Sequence, residues 1–107
     1  MDIQSKNQIE EIIRVNKIVI FMKGTKEIPA CSFSNQVIQI FNTFNVDYQT
    51  IDVLKDSNLR QNIKEYSQWP TIPQIYINKE FIGGADIISN LYKQSQLKEI
   101  IEKAINS

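Results

Sequence analysis

Apolar residues recur along this chain with two different spacings, which predicts an alternation of helices and strands. Helical spacing occurs in five stretches, residues 3–15, 32–44, 57–67, 86–92 and 96–105. Short runs rich in β-branched and aromatic residues predict strands at 17–22, 48–52, 74–78 and 80–82. Pro70 and Pro73 argue against a helix across 69–73, because each proline restricts the residue before it. The predicted order is αβαβαββαα.

This order limits how the strands can pair. A strand–helix–strand unit favours parallel pairing through a right-handed crossover, whereas the turn at 78–80 joins an antiparallel hairpin. A chain of 107 residues is the size of one domain. We therefore expect a single α/β domain over 1–107, with a four-stranded mixed sheet and helices on both faces. This is the thioredoxin-like architecture.

The charge balance and hydropathy exclude several classes of protein. Lys plus Arg and Asp plus Glu both number 12, and neither sign forms a block, which argues against nucleic-acid binding. The longest apolar run, 18–22, is far shorter than the roughly 18 residues of a membrane helix, so no membrane association is expected. The first residues lack the basic and apolar regions of a signal peptide. We expect a cytoplasmic protein, or one of a mitochondrial or other organelle matrix if a presequence has been removed.

The chain has no histidine and one cysteine, Cys31. The lack of histidine excludes Ser-His-Asp and Cys-His catalysis and histidine-ligated zinc. A single cysteine cannot form an intramolecular disulfide, a four-cysteine zinc site or a Cys-x-x-Cys redox pair. Any disulfide or soft-metal site must therefore take its other sulfur atoms from outside the chain. An unpaired thiol also fits a reducing compartment.

Cys31 lies between a loop that follows a predicted strand and the start of a predicted helix. Unpaired N–H groups and the helix dipole favour a thiolate there, so its pKa should be lowered. Lys23 and Lys26, on the preceding loop, would add to this effect. Ser34 occupies the position where a dithiol redox protein has its second cysteine, so an external thiol must resolve any mixed disulfide. The alternative is that Cys31 is a small buried apolar residue, as many lone cysteines are.

Three other features suggest a ligand site, and each also has an ordinary structural explanation. Pro73 at a strand start would expose the preceding N–H and C=O to an extended peptide, although it could simply begin the strand. The glycines before Asp86 would form an anion-binding turn, or Asp86 would cap the next helix. Arg60 and Lys64 share a helix face that could hold a carboxylate or could be solvated.

Together these segments resemble the monothiol glutaredoxins whose active site reads Cys-Gly-Phe-Ser. The matching segments are 21–25, 29–34, 66–74 and 83–87, and the likeness runs over about 9–104. The sequence Trp-Pro-Thr-Ile-Pro-Gln and the long loop before Cys31 are typical of this class. One departure is Ser32, which stands where the family has glycine. Members of this class bind an iron–sulfur cluster between two subunits, and Ser32 leaves open how stable that cluster is and how the two subunits meet.

The resemblance implies a glutathione site. Lys23, Arg60 and Lys64 would hold the glycine carboxylate. Arg60 is expected to contribute more than Lys64, because a guanidinium can make two parallel bonds to a carboxylate. The backbone of Ile72, before a cis Pro73, would pair with the cysteinyl unit.

The resemblance also assigns the remaining site residues. Gly84, Ala85 and Asp86 would take the γ-glutamyl end of glutathione. Cys31 would be the reactive thiolate and an iron ligand, and Phe33 would shape the site beside it.

Three functions follow as hypotheses. The favoured one is a carrier in iron–sulfur cluster assembly. Because a [2Fe–2S] cluster normally takes four thiolates, two chains and two glutathiones would supply them, giving a holo homodimer and an apo monomer. Its partners would be assembly and recipient proteins. The alternative is a glutathione-dependent oxidoreductase that removes glutathione from mixed disulfides, with weak activity at most. The third is a thioredoxin-like adaptor without chemistry.

Overall fold

The computed structural model describes residues 1–107 and contains five α-helices and four strands. The helices are α1 (Ile3–Val15), α2 (Ser32–Asn42), α3 (Ser57–Ser67), α4 (Ala85–Lys93) and α5 (Gln96–Ile105). The strands are β1 (Ile18–Met22), β2 (Gln49–Asp52), β3 (Gln74–Ile77) and β4 (Glu80–Gly83). All nine predicted elements are present, and their ends agree with the prediction to within two residues. A 3₁₀ turn over Val53–Lys55 was not predicted.

The strands form one mixed sheet in the order β2-β1-β3-β4. β1 and β2 are parallel, as the helical crossover requires, whereas β3 is antiparallel to both β1 and β4. The predicted four-stranded mixed sheet is confirmed. The topology brings the end of β1 beside the start of β3, where Phe21 pairs with Gln74. The loops that follow β1 and precede β3 therefore meet at one edge of the domain.

The side chains of the central strand β1 alternate between two hydrophobic cores. Ile18, Ile20 and Met22 pack into the larger core, which α2, α4 and α5 cover. Val19 and Phe21 pack into the smaller core, which α1 and α3 cover. Both faces of β1 are buried, which explains its uninterrupted apolar sequence.

Short polar side chains set the starts of two helices. Asp2 precedes α1 and its carboxylate accepts a hydrogen bond of 2.8 Å from the Ser5 N–H. Asp56 precedes α3 and accepts a bond of 3.1 Å from the Leu59 N–H. Such caps satisfy N–H groups that have no partner inside the helix. At its other end α2 stops at Asn42 rather than at 44, and Thr43 caps it by donating its hydroxyl to the Ile40 carbonyl at 2.7 Å.

None of the five helices combines the length and the apolar character that crossing a bilayer demands.

Candidate functional site

Cys31 is the residue that caps the N-terminus of α2. Its backbone is extended (φ −151°, ψ 158°), and its Sγ accepts a hydrogen bond of 3.3 Å from the Ser34 N–H. The cysteine thus takes the position usually held by serine, threonine or aspartate. The sulfur is partly exposed and lies where the first N–H groups of the helix point. The alternative in which Cys31 is a small buried apolar residue is wrong, because the residue is not buried.

The Ser34 side chain completes the surroundings of this sulfur. Ser34 is fully buried, and its Oγ lies 3.2 Å from Cys31 Sγ. The same oxygen accepts a hydrogen bond of 3.2 Å from the Lys23 N–H. The Cys31 thiol can donate to the second lone pair of this oxygen, and when the thiol ionises the Ser34 hydroxyl can instead donate its proton to the sulfur. Ser34 therefore links the Cys31 sulfur to the Lys23 backbone, in addition to standing where a dithiol protein has its second cysteine.

These contacts set the ionisation of Cys31. Burial raises its pKa, but hydrogen bonds from the Ser34 hydroxyl and from the N–H groups of Ser34 and Phe33 lower it, as does the charge of Lys23. The net pKa lies below the ordinary value, which confirms the predicted direction. Lys26 plays no part in this shift. Its Nζ donates to the Tyr48 carbonyl at 2.7 Å and lies 4.0 Å from the centre of that ring, so the expectation for Lys26 is wrong.

The loop between β1 and Cys31 is held by hydrogen bonds along its length. The Gly24 N–H donates to Asp52 Oδ1 at 2.9 Å, and the Ala30 N–H donates to the Lys23 carbonyl at 2.9 Å. Gly24 has φ +90°, and a Cβ there would lie 2.5 Å from the Ala30 nitrogen, so only glycine fits. At the tip, Ile28 is 76% exposed. The loop is a braced support for Cys31, with one apolar side chain in solvent.

A groove of about 390 Å³ lies beside the thiol. The residues that line it are Lys23, Phe33, Lys64, Trp69, Pro70, Thr71, Ile72, Pro73, Gly84, Ala85, Asp86 and Ile87. Eight of the ten predicted site residues are in this lining, and the other two are Cys31 and Arg60. Cys31 is joined to the groove through Lys23, whose N–H bonds Ser34, and through its near neighbour Phe33.

Arg60 and Lys64 are both on α3, but only Lys64 lines the groove. The Arg60 Nε is buried and has no hydrogen-bond partner. Lys64 therefore faces the groove, whereas Arg60, one helical turn earlier, has a buried Nε. The structure does not bring Arg60 into the lining beside Lys64.

One wall of the groove is the segment 69–73, which comes before β3. The Ile72–Pro73 peptide bond is cis, as predicted. The N–H and C=O of Ile72 make no hydrogen bond within the chain. An unpaired N–H and C=O on one residue can together accept the backbone of an extended peptide.

The facing wall is the start of α4. Gly84 is its N-cap and offers no side-chain bond, so the first N–H groups of the helix are free for an anion. The alternative in which Asp86 caps the helix is wrong, because Asp86 lies in its first turn. A Cβ on Gly84 would lie 3.2 Å from both the Pro73 carbonyl and Trp69 Nε1. The absence of a side chain at Gly84 lets the two walls approach.

Sequence reasoning missed four lining residues: Trp69, Pro70, Thr71 and Ile87. The first three belong to the Trp-Pro-Thr-Ile-Pro-Gln segment, which marked the class but was given no role. The signal for Ile87 was its position after Asp86 at the start of a helix.

Ser32 is the first residue of α2 and is exposed. It does not have a positive φ, so its position does not require glycine.

Comparison with known proteins agrees with this geometry. The family model described as Glutaredoxin matches residues 18–82. The chain is 58% identical to an uncharacterized monothiol glutaredoxin of Porphyra purpurea, over 95% of each chain. It is 50% identical to an uncharacterized monothiol glutaredoxin of Synechocystis sp., over 100% of each chain. A chloroplastic monothiol glutaredoxin of Oryza sativa is 48% identical over 92% of this chain and 59% of its own length.

Solved structures share the fold. The solution structure of a reduced apo glutaredoxin from poplar has a TM-score of 0.83 and 45% identity, and the match covers 95% of this chain and 94% of that one. A crystal structure of a buckwheat glutaredoxin–glutathione complex has a TM-score of 0.83 at 19% identity, covering 94% and 90%, a likeness of fold alone. The predicted thioredoxin-like fold is confirmed. The chain belongs to the glutaredoxin family and, within it, to the monothiol glutaredoxins, which serve glutathione-related redox functions.

Proposed function

We propose that the groove binds glutathione with its thiol directed toward Cys31. Glutathione is an extended peptide with a carboxylate at each end and one ammonium group. Lys23 and Lys64 supply positive charge for the glycine carboxylate. The free N–H and C=O of Ile72 suit the peptide backbone of the cysteinyl unit. Arg60 remains a candidate for the same carboxylate, since its Nε has no partner in the chain.

The other end of the ligand would lie at α4. The free N–H groups that follow Gly84 suit the α-carboxylate of the γ-glutamyl unit, and the Asp86 carboxylate suits its ammonium. In this pose the lysine end of the groove takes a carboxylate alone, whereas the α4 end takes a carboxylate and an ammonium group. This difference fixes the direction of the peptide.

We further propose that the protein carries a [2Fe–2S] cluster as cargo between two copies of the chain. No group of three or more potential ligands that could hold a metal exists within one chain, and Cys31 is its sole thiol. Four thiolates are the usual set for such a cluster. Two Cys31 thiolates and the thiolates of two bound glutathiones give that number. Assembly proteins and recipient apoproteins would be the partners.

The observation that carries this proposal is the placement of a partly exposed, thiolate-prone Cys31 beside a groove with an unpaired peptide edge. The test is anaerobic reconstitution with ferrous iron, sulfide and reduced glutathione, followed by visible absorption and gel filtration. We expect a coloured dimer that forms only when glutathione is added. Cys31→Ser should stay colourless and monomeric with a normal circular dichroism spectrum, whereas Ser32→Ala, which alters an exposed neighbouring hydroxyl, should still form the dimer. A coloured Cys31→Ser protein would contradict the proposal.

The lowered pKa of the partly exposed Cys31 thiol also favours a second function, reduction of glutathione mixed disulfides. Cys31 would attack the glutathione sulfur of a mixed disulfide, releasing the protein thiol and leaving Cys31 linked to glutathione. A second glutathione would then attack that bond, giving glutathione disulfide and the free thiolate. Because Ser34 offers no sulfur, no step within one chain can replace the second glutathione.

A further inference from the structure

A buried side chain outside the groove lining holds one of its walls. Gln74 is fully buried, and its Nε2 donates hydrogen bonds to the carbonyl oxygens of Trp69 (3.1 Å) and Thr71 (3.3 Å). Its Oε1 is also buried and has no partner. Burying an amide is unfavourable when half of its hydrogen-bonding capacity stays unused. The two donated bonds must therefore be what this residue provides.

The wall needs such a donor because it has almost no hydrogen bonds of its own. Pro70 and Pro73 have no N–H, and the segment lies outside every helix and strand. The Trp69 N–H donates to the Lys64 carbonyl at 3.2 Å, but the N–H groups of Thr71 and Ile72 donate to nothing in the chain. Between Trp69 and β3, the Gln74 amide is the one group that ties the wall to the sheet by hydrogen bonds.

We propose that Gln74 is a positioning residue for ligand binding: its amide group fixes the shape of the wall 69–73 and thereby the direction of the free Ile72 N–H and C=O. The effect on a ligand rests on the proposed glutathione function, whereas the effect on the wall does not. A residue that only filled space would be replaceable by any side chain of similar volume.

Two substitutions separate these roles. Gln74→Met keeps approximate volume and removes both donors. Gln74→Glu keeps the shape, but at pH 7 it places a carboxylate against two carbonyl oxygens. On protonation the introduced carboxyl regains one O–H donor, and burial favours that neutral form. Gln39→Glu is the matched control, because Gln39 is exposed on α2 and undergoes the same change of charge.

Two quantities are measured. One is the glutathione affinity of the reduced apo protein, by calorimetry, and the other is the near-ultraviolet circular dichroism signal of Trp69. Trp69 is the only tryptophan and is part of the wall, so its spectrum reports the wall directly. At pH 7 we expect both Gln74 variants to bind about tenfold more weakly and to show an altered Trp69 spectrum. At pH 5 Gln74→Glu should recover most of the affinity, while Gln74→Met should not. Gln39→Glu should match the wild type at both values.

Wild-type affinity and an unchanged Trp69 spectrum in Gln74→Met would overturn the inference. So would a Gln74→Glu affinity that stays as weak as that of Gln74→Met at both pH values, because the regained O–H donor would then restore nothing. If Gln74→Glu does not fold, Gln74→Met decides the question. If the wild type fails to bind glutathione, the proposed function fails, and the Trp69 spectrum alone then decides whether Gln74 shapes the wall.

Discussion

The hydroxyl of Ser34 should govern how readily Cys31 ionises. Ser34→Ala removes the Oγ that lies 3.2 Å from Sγ and leaves the Ser34 N–H bond of 3.3 Å intact. A hydrogen bond to a charged group contributes about 1.5–3 kcal/mol, and we expect the lower end of that range because sulfur is a weaker acceptor than oxygen. About 1.4 kcal/mol corresponds to a tenfold change in equilibrium. The ratio of thiolate to thiol at Cys31 should therefore be roughly tenfold lower in the variant than in the wild type at any given pH.

The sign follows from the direction of the shift. The Ser34 hydroxyl lowers the pKa of Cys31, so its removal must raise that pKa. The assay is the rate of alkylation by iodoacetamide from pH 4 to 10. The rate profile of Ser34→Ala should move to higher pH, while the plateau at high pH should equal or exceed that of the wild type, because a thiolate with fewer hydrogen bonds is more nucleophilic. Ser32→Ala is the control, since Ser32 is exposed and makes no hydrogen bond through its side chain.

Stability must be measured alongside. The substitution also leaves the Lys23 N–H without its acceptor, which costs about 1–3 kcal/mol if that donor stays buried. A lower melting temperature is therefore expected and does not explain a displaced rate profile in a protein that is still folded at 25 °C. An alkylation profile identical to that of the wild type would refute the reasoning, because the Ser34 hydroxyl would then contribute nothing to the thiolate.

Three further predictions follow from the groove and from α2. Gly84→Ala should weaken glutathione binding severalfold in titration calorimetry, because its Cβ would lie 3.2 Å from two groove atoms; unchanged affinity would show that the walls can yield. Lys64→Ala should weaken that binding more than Arg60→Ala, since only Lys64 lines the groove, and the reverse order would restore the role first expected of Arg60. Ser32→Gly should lower the apo melting temperature slightly, because glycine loses more backbone entropy on folding, while cluster lifetime in air should rise modestly; a shorter lifetime would mean that the Ser32 hydroxyl supports the site.

The features that the sequence predicted well are those decided by local pattern. The apolar, β-branched run of β1 indicated a strand, and the position of Cys31 between a loop and an amphipathic stretch indicated a helix start. Both expectations hold because hydrophobic periodicity and capping depend on neighbours in the chain. The cis Pro73 came from the family resemblance rather than from the local pattern.

The features that the sequence could not predict depend on contacts between distant residues. Lys26 is near Cys31 in sequence, but the Tyr48 carbonyl and ring draw its ammonium group away. Arg60 and Lys64 are one turn apart, yet small differences in direction place one in the groove and leave the other with a buried Nε. Gln74 read as an ordinary first residue of a strand, because no local pattern shows that its amide reaches back to Trp69.

The most direct test of the cluster-carrier function is native mass spectrometry of the reconstituted protein. The proposed ligand set requires a species with two chains, two glutathiones and one [2Fe–2S] unit, and Cys31→Ser should yield none of it. Removal of free glutathione should convert that species to apo monomers. A coloured species that contains iron and sulfide with no glutathione, or with one chain alone, would contradict the proposal that Cys31 supplies one thiolate and bound glutathione supplies its counterpart.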